Sequence, residues 1–116
     1  IFCVSFKIIP TSRFEKEVKK ISRIYPGFKK DIERLASSLA DHPIQGSHLG
    51  HGIYKVRIPI TGKSSGKSYG ARAIHAVFSV DSEVYLLSVY DKSVKKDLGS
   101  NEVRELIQLV KKIKLH

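Results

Sequence analysis

The stretch IYKVRIPITGKSSGKSYGARAIHAVFSV occupies residues 53–80 and decides the fold. Its first eight residues alternate, with Lys55 and Arg57 between apolar or aromatic positions, which is the two-residue period of a half-buried strand. Residues 71–80 have the composition of a second strand. The Gly/Ser/Lys loop between them, residues 61–70, is too short for a crossover helix. The two strands are therefore predicted to be antiparallel.

Two helices are predicted upstream of this stretch. Ser12 and Glu15 have capping-box spacing, and Pro26-Gly27 separates two stripes of apolar residues with helical spacing, which indicates an αα-hairpin. The predicted elements are a strand over residues 1–9, helices over 12–25 and 28–41, a loop over 43–52, strands over 53–60, 71–80 and 83–89, and a helix over 101–113. The order β-αα-βββ-α predicts one α+β domain over residues 1–116: a small, mainly antiparallel twisted sheet with an N-terminal helical hairpin and a C-terminal helix.

Charge is segregated along the chain. The formal net charge is +10, yet all 11 carboxylates lie outside residues 42–80. A cationic block with no acid in its own sequence favours a phosphate-rich ligand. It also offers no carboxylate for a Mg²⁺ site or a general base, so we expect chemistry by cations and no cofactor. The five cations of the block are Lys55, Arg57, Lys63, Lys67 and Arg72.

Three further observations concern location and metals. A single cysteine, Cys3, excludes an internal disulfide and fits a reducing cytoplasm. The apolar opening run is too short to span a membrane and lacks the features of a signal peptide. His48 and His51 have metal-ligand spacing, but no cysteine or carboxylate lies near them in sequence, which favours a chance pair. We therefore expect a cytoplasmic protein with neither a metal nor a membrane partner.

Strand parity predicts where the charges meet. Side chains two residues apart lie on the same face of a strand. If the helical hairpin covers one face of the sheet, cations on the other face can converge in an open concavity, provided that the strands are in phase. The residues that parity assigns to this face are Lys55, Arg57, Arg72, Ser88, Tyr90 and Lys92.

Three motifs in this order carry a family resemblance. They are GIYKVRI at residues 52–58, GKSYGARAI at residues 66–74 and LLSVYDK at residues 86–92, and DLGSNEV at residues 97–103 leads into the last helix. With the order β-αα-βββ-α, the chain resembles over nearly its whole length the RelE/HigB-type toxins of type II toxin–antitoxin modules, in the RelE/ParE superfamily. The resemblance implies the same fold.

The resemblance also implies an activity and a set of site residues. Such toxins are endoribonucleases, or mRNA interferases, that hydrolyse mRNA, often in the ribosomal A site, without a metal. The 2′-hydroxyl attacks the adjacent phosphate and gives a cyclic phosphate and a free 5′-hydroxyl. By motif position, Lys55 and Arg57 correspond to the general base and phosphate clamp. Arg72 corresponds to the residue that stabilises the phosphorane, and Lys92 to the one that stabilises the leaving oxygen.

Several residues are accessory candidates with alternatives left open. Some members of the family carry a C-terminal tyrosine that stacks on a base, and here Tyr90 either replaces it or is a sheet aromatic. His75 is a hydrogen-bonded core residue or a catalytic one. Asp91 pairs with a neighbouring cation or takes part in catalysis. Lys63 and Lys67 either bind the RNA backbone or belong to a solvated hairpin tip.

The resemblance implies partners as well. They are a cognate antitoxin protein and mRNA on the ribosome, with operator DNA bound only through the antitoxin complex. Two other functions remain open on the same fold, because fold alone does not fix activity. One is a ParE-like gyrase poison without RNase activity. The other is a catalytically inactive relative that binds only its antitoxin and DNA.

Overall fold

The computed structural model describes residues 5–63 and 70–114. It contains a five-stranded sheet with helices on both faces. Its elements are β1 (Lys7–Pro10), α1 (Ser12–Ile24), α2 (Phe28–Asp41), β2 (Ser47–Gly50), β3 (Ile53–Ile58), β4 (Ala71–Phe78), β5 (Glu83–Asp91) and α3 (Ser100–Lys114). The strand order is β1-β5-β4-β3-β2, with β1 and β5 parallel and the other neighbours antiparallel. The predicted α+β class and mainly antiparallel sheet are confirmed.

Strand β2 is the element that the sequence prediction missed. Residues 43–52 were expected to form a loop, but Ser47–Gly50 pairs antiparallel with β3 and forms an edge strand. His51 and Gly52 make the tight turn, with φ of 56° and 73° in the left-handed region. A register shift between His48 and Gly50 interrupts the ladder. Gly50 and Gly52 allow this turn and register shift. They also interrupt the alternation of apolar and polar residues by which a strand is recognised in sequence.

Several predicted boundaries change, and two of the changes have a clear physical reason. Helix α1 is capped by Thr11 and not by Ser12, because the Thr11 hydroxyl oxygen accepts from the Phe14 N–H at 3.3 Å. The same hydroxyl donates to the Leu86 carbonyl at 2.8 Å, so the cap also ties α1 to β5. Strand β3 ends at Ile58, immediately before Pro59, which cannot donate to a ladder. Residues 1–4 of the predicted first strand, which include Cys3, lie outside the described residues, and β1 covers Lys7–Pro10.

Apolar residues form one cluster on each face of the sheet. The helical hairpin α1–α2 packs Phe14, Phe28 and Leu39 on one face, and α3 packs Leu106 and Val110 on the other. The predicted open concavity is therefore partly covered, because α3 lies over part of the face opposite the hairpin. In the described part of the chain, no helix combines the length and apolarity needed to cross a membrane.

Candidate active site

Cations from two strands lie side by side at one end of the sheet. Arg57 of β3 is directly opposite Arg72 of β4, which is in turn opposite Tyr90 of β5. Lys55 is two residues from Arg57 on the same face of β3 and opposite Ile74. Lys55, Arg57 and Arg72 therefore share one face of the sheet, as strand parity predicted. We call these three residues the cation cluster.

A bulge in β5 changes one assignment. Ile74 pairs with Ser88 and His75 with Leu86, so Leu87 is the extra residue of a β-bulge. The Ser88 hydroxyl, fully buried, donates to Glu17 of α1 at 2.8 Å and does not join the cation cluster. The prediction for Ser88 was wrong because the bulge interrupts the two-residue alternation locally: Tyr90 remains opposite Arg72, whereas the Ser88 hydroxyl reaches α1.

Arg72 is a buried cation without a counter-ion. Only 4% of the residue is exposed, and Nη1 donates to the Ala71 carbonyl at 3.2 Å. All 11 carboxylate side chains of the chain lie in the described ranges, and none of them forms an ion pair with Arg57 or Arg72. Two like charges directly opposite on neighbouring strands also repel each other. The two guanidinium groups therefore lower the stability of the free protein, and they attract an anion that binds between them.

One carboxylate does reach the cluster, from outside the acid-free block. Asp97, in the segment between β5 and α3, forms an ion pair through Oδ1 with Lys55 Nζ at 3.5 Å. The same oxygen accepts from the Tyr90 hydroxyl at 3.3 Å and from the Leu98 N–H at 2.8 Å. Hydrogen bonding by Leu98 and the charge of Lys55 hold the pKa of Asp97 below its usual value, against partial desolvation. An acid from outside the block therefore partly neutralises the cation cluster at Lys55.

Tyr90 is a buried sheet residue with a polar end. It is 6% exposed, belongs to the apolar cluster under α3, and points its hydroxyl at Asp97. Burial, together with the Asp97 carboxylate, raises the pKa of Tyr90 to about 12. Its ring is not open to stack on a nucleotide base, which favours the sheet-aromatic interpretation. Its hydroxyl remains a neutral donor beside Lys55.

The loop lysine that the structure describes is structural. Lys63 Nζ lies 2.6 Å from Asp91 Oδ1, with 11% and 10% of the two side chains exposed, and lies 5.7 Å from the centroid of the Tyr25 ring. Its ammonium is therefore engaged and not free for RNA, and Asp91 pairs with a cation as one interpretation predicted. Lys67 lies outside the described residues.

Lys92 and His75 do not join the cation cluster by direct pairing. Lys92 follows β5 in a turn, half-buried, where its backbone N–H donates to the Gly70 carbonyl at 3.1 Å. His75 is fully buried, pairs in register with Leu86 of the hairpin-side cluster, and has Nε2 2.9 Å from the Pro43 carbonyl oxygen. Desolvation lowers the pKa of His75 despite that hydrogen bond. These contacts favour the core-histidine interpretation.

The end of β3 beside the cluster is fixed by a buried carboxylate of the hairpin. Asp31 of α2, whose side chain is wholly buried, accepts from both the N–H and the hydroxyl of Thr61 at 2.7 Å. The backbone after Arg57 is thus tied to the helices. Such anchoring holds the cations in place, which a preorganised site requires.

Asp97 is the site residue that sequence reasoning missed. It lies 42 positions from Lys55, and the DLGS sequence around it indicated only the start of a helix. A loop acid carries no periodic signal that would assign it to a face. Among the described residues, no group of three His, Cys, Asp or Glu side chains is arranged to hold a metal ion.

Comparison with known proteins gives a consistent fold. No protein-family model and no curated protein matches the sequence. Among solved structures, an alanine mutant of the E. coli toxin RelE in the free state aligns with a TM-score of 0.61 at 16% identity, over 87% of this chain and 97% of that one. The isolated E. coli RelE toxin aligns with a TM-score of 0.53 at 18% identity, over 90% of this chain and 99% of that one. A chain of the Mycobacterium tuberculosis RelBE2 toxin–antitoxin complex aligns with a TM-score of 0.54 at 12% identity, over 78% of this chain and 94% of that one. The chain therefore has the fold of the RelE toxins.

Proposed function

We propose that this protein is the toxin of a type II toxin–antitoxin module and acts as an endoribonuclease on mRNA, in the ribosomal A site. The observation that carries the proposal is the buried, unpaired Arg72 directly opposite Arg57 on a RelE-like sheet. Neighbouring guanidinium groups present several donors to the oxygens of one phosphate. This combination of fold and charge favours phosphodiester chemistry over a purely structural role.

The proposed reaction is an internal displacement at phosphorus. The RNA 2′-oxygen forms a bond to the adjacent phosphorus, its proton passes to a base, and the bond to the 5′-oxygen breaks as that oxygen takes up a proton. The products are a 2′,3′-cyclic phosphate and a 5′-hydroxyl. In the proposed assignment Arg57 clamps the phosphate, Arg72 stabilises the charge of the phosphorane, and Lys92 serves the leaving oxygen.

Lys55 is the proposed general base, and its contacts set a condition on that role. An ammonium has three donors and no acceptor. While Lys55 is paired with Asp97, it can stabilise charge but cannot accept the proton of the 2′-hydroxyl. To act as base, Lys55 must first leave Asp97 and lose a proton.

The proposed protein partner is a cognate antitoxin, with mRNA on the ribosome as substrate. Support for the antitoxin comes from the similarity to a toxin–antitoxin complex of M. tuberculosis. The net charge of +10 suits both an acidic protein segment and a polyanionic RNA. Operator DNA would be contacted only through the antitoxin, and the compartment would be the cytoplasm.

Primer extension on a defined mRNA in a reconstituted translation mixture tests the proposal. Arg72→Met removes the buried charge but keeps the length of the side chain. Arg23→Met is the matched control, because the substitution removes the same charge at a different place. Arg23 is exposed in the last turn of α1. Parallel reactions without ribosomes measure whether cleavage depends on them.

We expect new cleavage sites with the wild type and with Arg23→Met, and none with Arg72→Met or without ribosomes. Full cleavage by Arg72→Met would contradict the assigned role of Arg72. Intact mRNA with the wild type, in the presence of ribosomes, would contradict the endoribonuclease itself, and a DNA supercoiling assay would then test the gyrase-poison alternative.

A further inference from the structure

Asp97 receives the set of donors that a substrate phosphate oxygen would need. Its Oδ1 accepts from the Tyr90 hydroxyl and the Leu98 N–H, and it is ion-paired with Lys55. An ammonium, a neutral hydroxyl and a backbone N–H are typical ligands of a bound phosphate. The carboxylate and a phosphate oxygen carry the same sign of charge, so both cannot occupy this position together.

The carboxylate lies on the solvent side of its partners. The side chain of Asp97 is 67% exposed, that of Lys55 is 28% exposed, and Tyr90 is buried beneath them. An anion that approaches Lys55 from solvent therefore meets Asp97 first. Displacing the carboxylate opens the route to the ammonium and to the Tyr90 hydroxyl.

The segment that carries Asp97 is anchored on both sides of that residue. It lies between β5 and α3, and its neighbouring residues Lys96 and Gly99 are exposed. One anchor is the hydrogen bond between Lys95 and Glu102 of α3, and another is Leu98, which packs against the α3-side apolar cluster. Asp97 itself can swing away without disturbing either anchor. The loss is one exposed ion pair and two hydrogen bonds, from the Tyr90 hydroxyl and the Leu98 N–H, and a phosphate that takes the place of the carboxylate would restore these contacts.

We propose that Asp97 is an internal substitute for the substrate phosphate, which keeps the free protein self-inhibited until RNA displaces the carboxylate from Lys55. This inference rests on the proposed ribonuclease function and adds a mode of regulation to the same site. Displacement separates Lys55 from Asp97 at the moment when an RNA phosphate arrives, which meets the first part of the condition on the general base stated above; the loss of the proton is a separate step. Because RNA must first break the ion pair between Asp97 and Lys55, the free energy of that pair is subtracted from the free energy of RNA binding.

Binding of a non-cleavable RNA measures this competition. The probe is a short fluorescein-labelled 2′-O-methyl oligoribonucleotide, and the readout is fluorescence anisotropy at fixed ionic strength. The variants are Asp97→Asn, the same substitution in a Lys55→Ala background, and Asp81→Asn as the matched control. Asp81 is an exposed acid in the turn between β4 and β5, at the far end of β4 from Arg72, so its charge is screened from the cation cluster.

We expect Asp97→Asn to bind the probe about threefold to fivefold more tightly than the wild type, which is the upper part of the range of an exposed ion pair. Asp81→Asn should stay within about twofold of the wild type, and the gain from Asp97→Asn should disappear when Lys55 is alanine. The inference would be overturned if Asp97→Asn bound the probe with the same affinity as Asp81→Asn, or with a lower affinity than the wild type. Weaker binding would mean that Asp97 positions Lys55 for RNA.

A second probe separates this inference from the ribonuclease proposal. If the wild type and all variants fail to bind the RNA, recognition of free RNA is excluded, and the proposed function is tested by primer extension with ribosomes. Inorganic phosphate, titrated while the Leu98 amide is followed by NMR, then tests Asp97 alone. Tighter phosphate binding by Asp97→Asn than by Asp81→Asn would support the substitute role without RNA. Equal phosphate binding would overturn it.

Discussion

Replacing Arg72 by methionine should make the protein more stable while it removes activity. In the wild type the guanidinium is buried, has one hydrogen bond to a backbone carbonyl, and is opposite Arg57. A buried charge without a counter-ion is costly, and exchanging buried charged groups for apolar ones of similar volume often stabilises a protein by about 1–4 kcal/mol. Because methionine leaves the Ala71 carbonyl without its donor, we expect the lower part of that range, about 1–3 kcal/mol.

The corresponding change in melting temperature follows from the size of the chain. Unfolding entropy is about 2.1 cal/mol/K per residue, which for 116 residues amounts to about 0.24 kcal/mol/K. One kcal/mol therefore shifts Tm by about 4 °C, and Arg72→Met should raise it by about 4–12 °C. Thermal and urea denaturation followed by far-UV circular dichroism measure this shift.

The Arg23→Met control should move stability in the opposite direction. Arg23 is exposed in the last turn of α1, where a cation interacts favourably with the helix dipole, so its loss should cost about 0.3–1 kcal/mol. An Arg72→Met protein that is equal to or less stable than the wild type would refute the reasoning. It would mean that the guanidinium is compensated in the folded protein and is not held ready for an anion.

Two further predictions concern titratable groups near the site. The pKa of Tyr90, about 12 in the wild type, should fall in Asp97→Asn, because a neighbouring negative charge that disfavours the phenolate is removed. An ultraviolet titration, with Tyr90→Phe subtracted, measures it, and an unchanged value would contradict the contact. Burial raises the pKa of Asp91, but hydrogen bonds from Lys63 and Ser93 outweigh burial and hold it below its usual value. The Asp91 pair therefore stabilises the fold above about pH 4 and is lost as pH falls through the depressed folded-state pKa. Asp91→Asn should cost about 1.5–3 kcal/mol at pH 7 and much less at pH 2 in urea denaturation, and an equal cost at both would contradict the pair.

The two-residue period of β3 and β4 made the cation cluster predictable. In residues 53–58, Lys55 and Arg57 alternate with apolar or aromatic residues, and the short connection to residues 71–78 predicts antiparallel pairing, which the register confirms. Arg57 therefore had to share a face with Lys55. Its meeting with Arg72 also required that the two strands be in phase, which the sequence left open and the observed register supplies.

Features that depend on irregular backbone were not predictable in the same way. The bulge at Leu87 turns Ser88 away from the cluster, and nothing in the run of apolar residues in β5 marks where the extra residue falls. The ion pair between Lys63 and Asp91 depends on where a loop folds back, so a lysine expected at an exposed hairpin tip is buried. Asp97 reaches Lys55 across 42 positions, and only the path of the chain after β5 brings the two together.

The most direct measurement is the chemistry of the RNA ends after cleavage. We would incubate the protein with translating ribosomes on a defined mRNA, isolate the cleaved fragments and determine their termini by mass spectrometry, with Arg72→Met as the inactive reference. Displacement by the 2′-oxygen at the cation cluster predicts a 2′,3′-cyclic phosphate, or the monophosphate formed from it, on the upstream fragment and a 5′-hydroxyl on the downstream one. A 3′-hydroxyl upstream and a 5′-phosphate downstream would contradict it, because attack by water on the other side of the phosphate needs a different site.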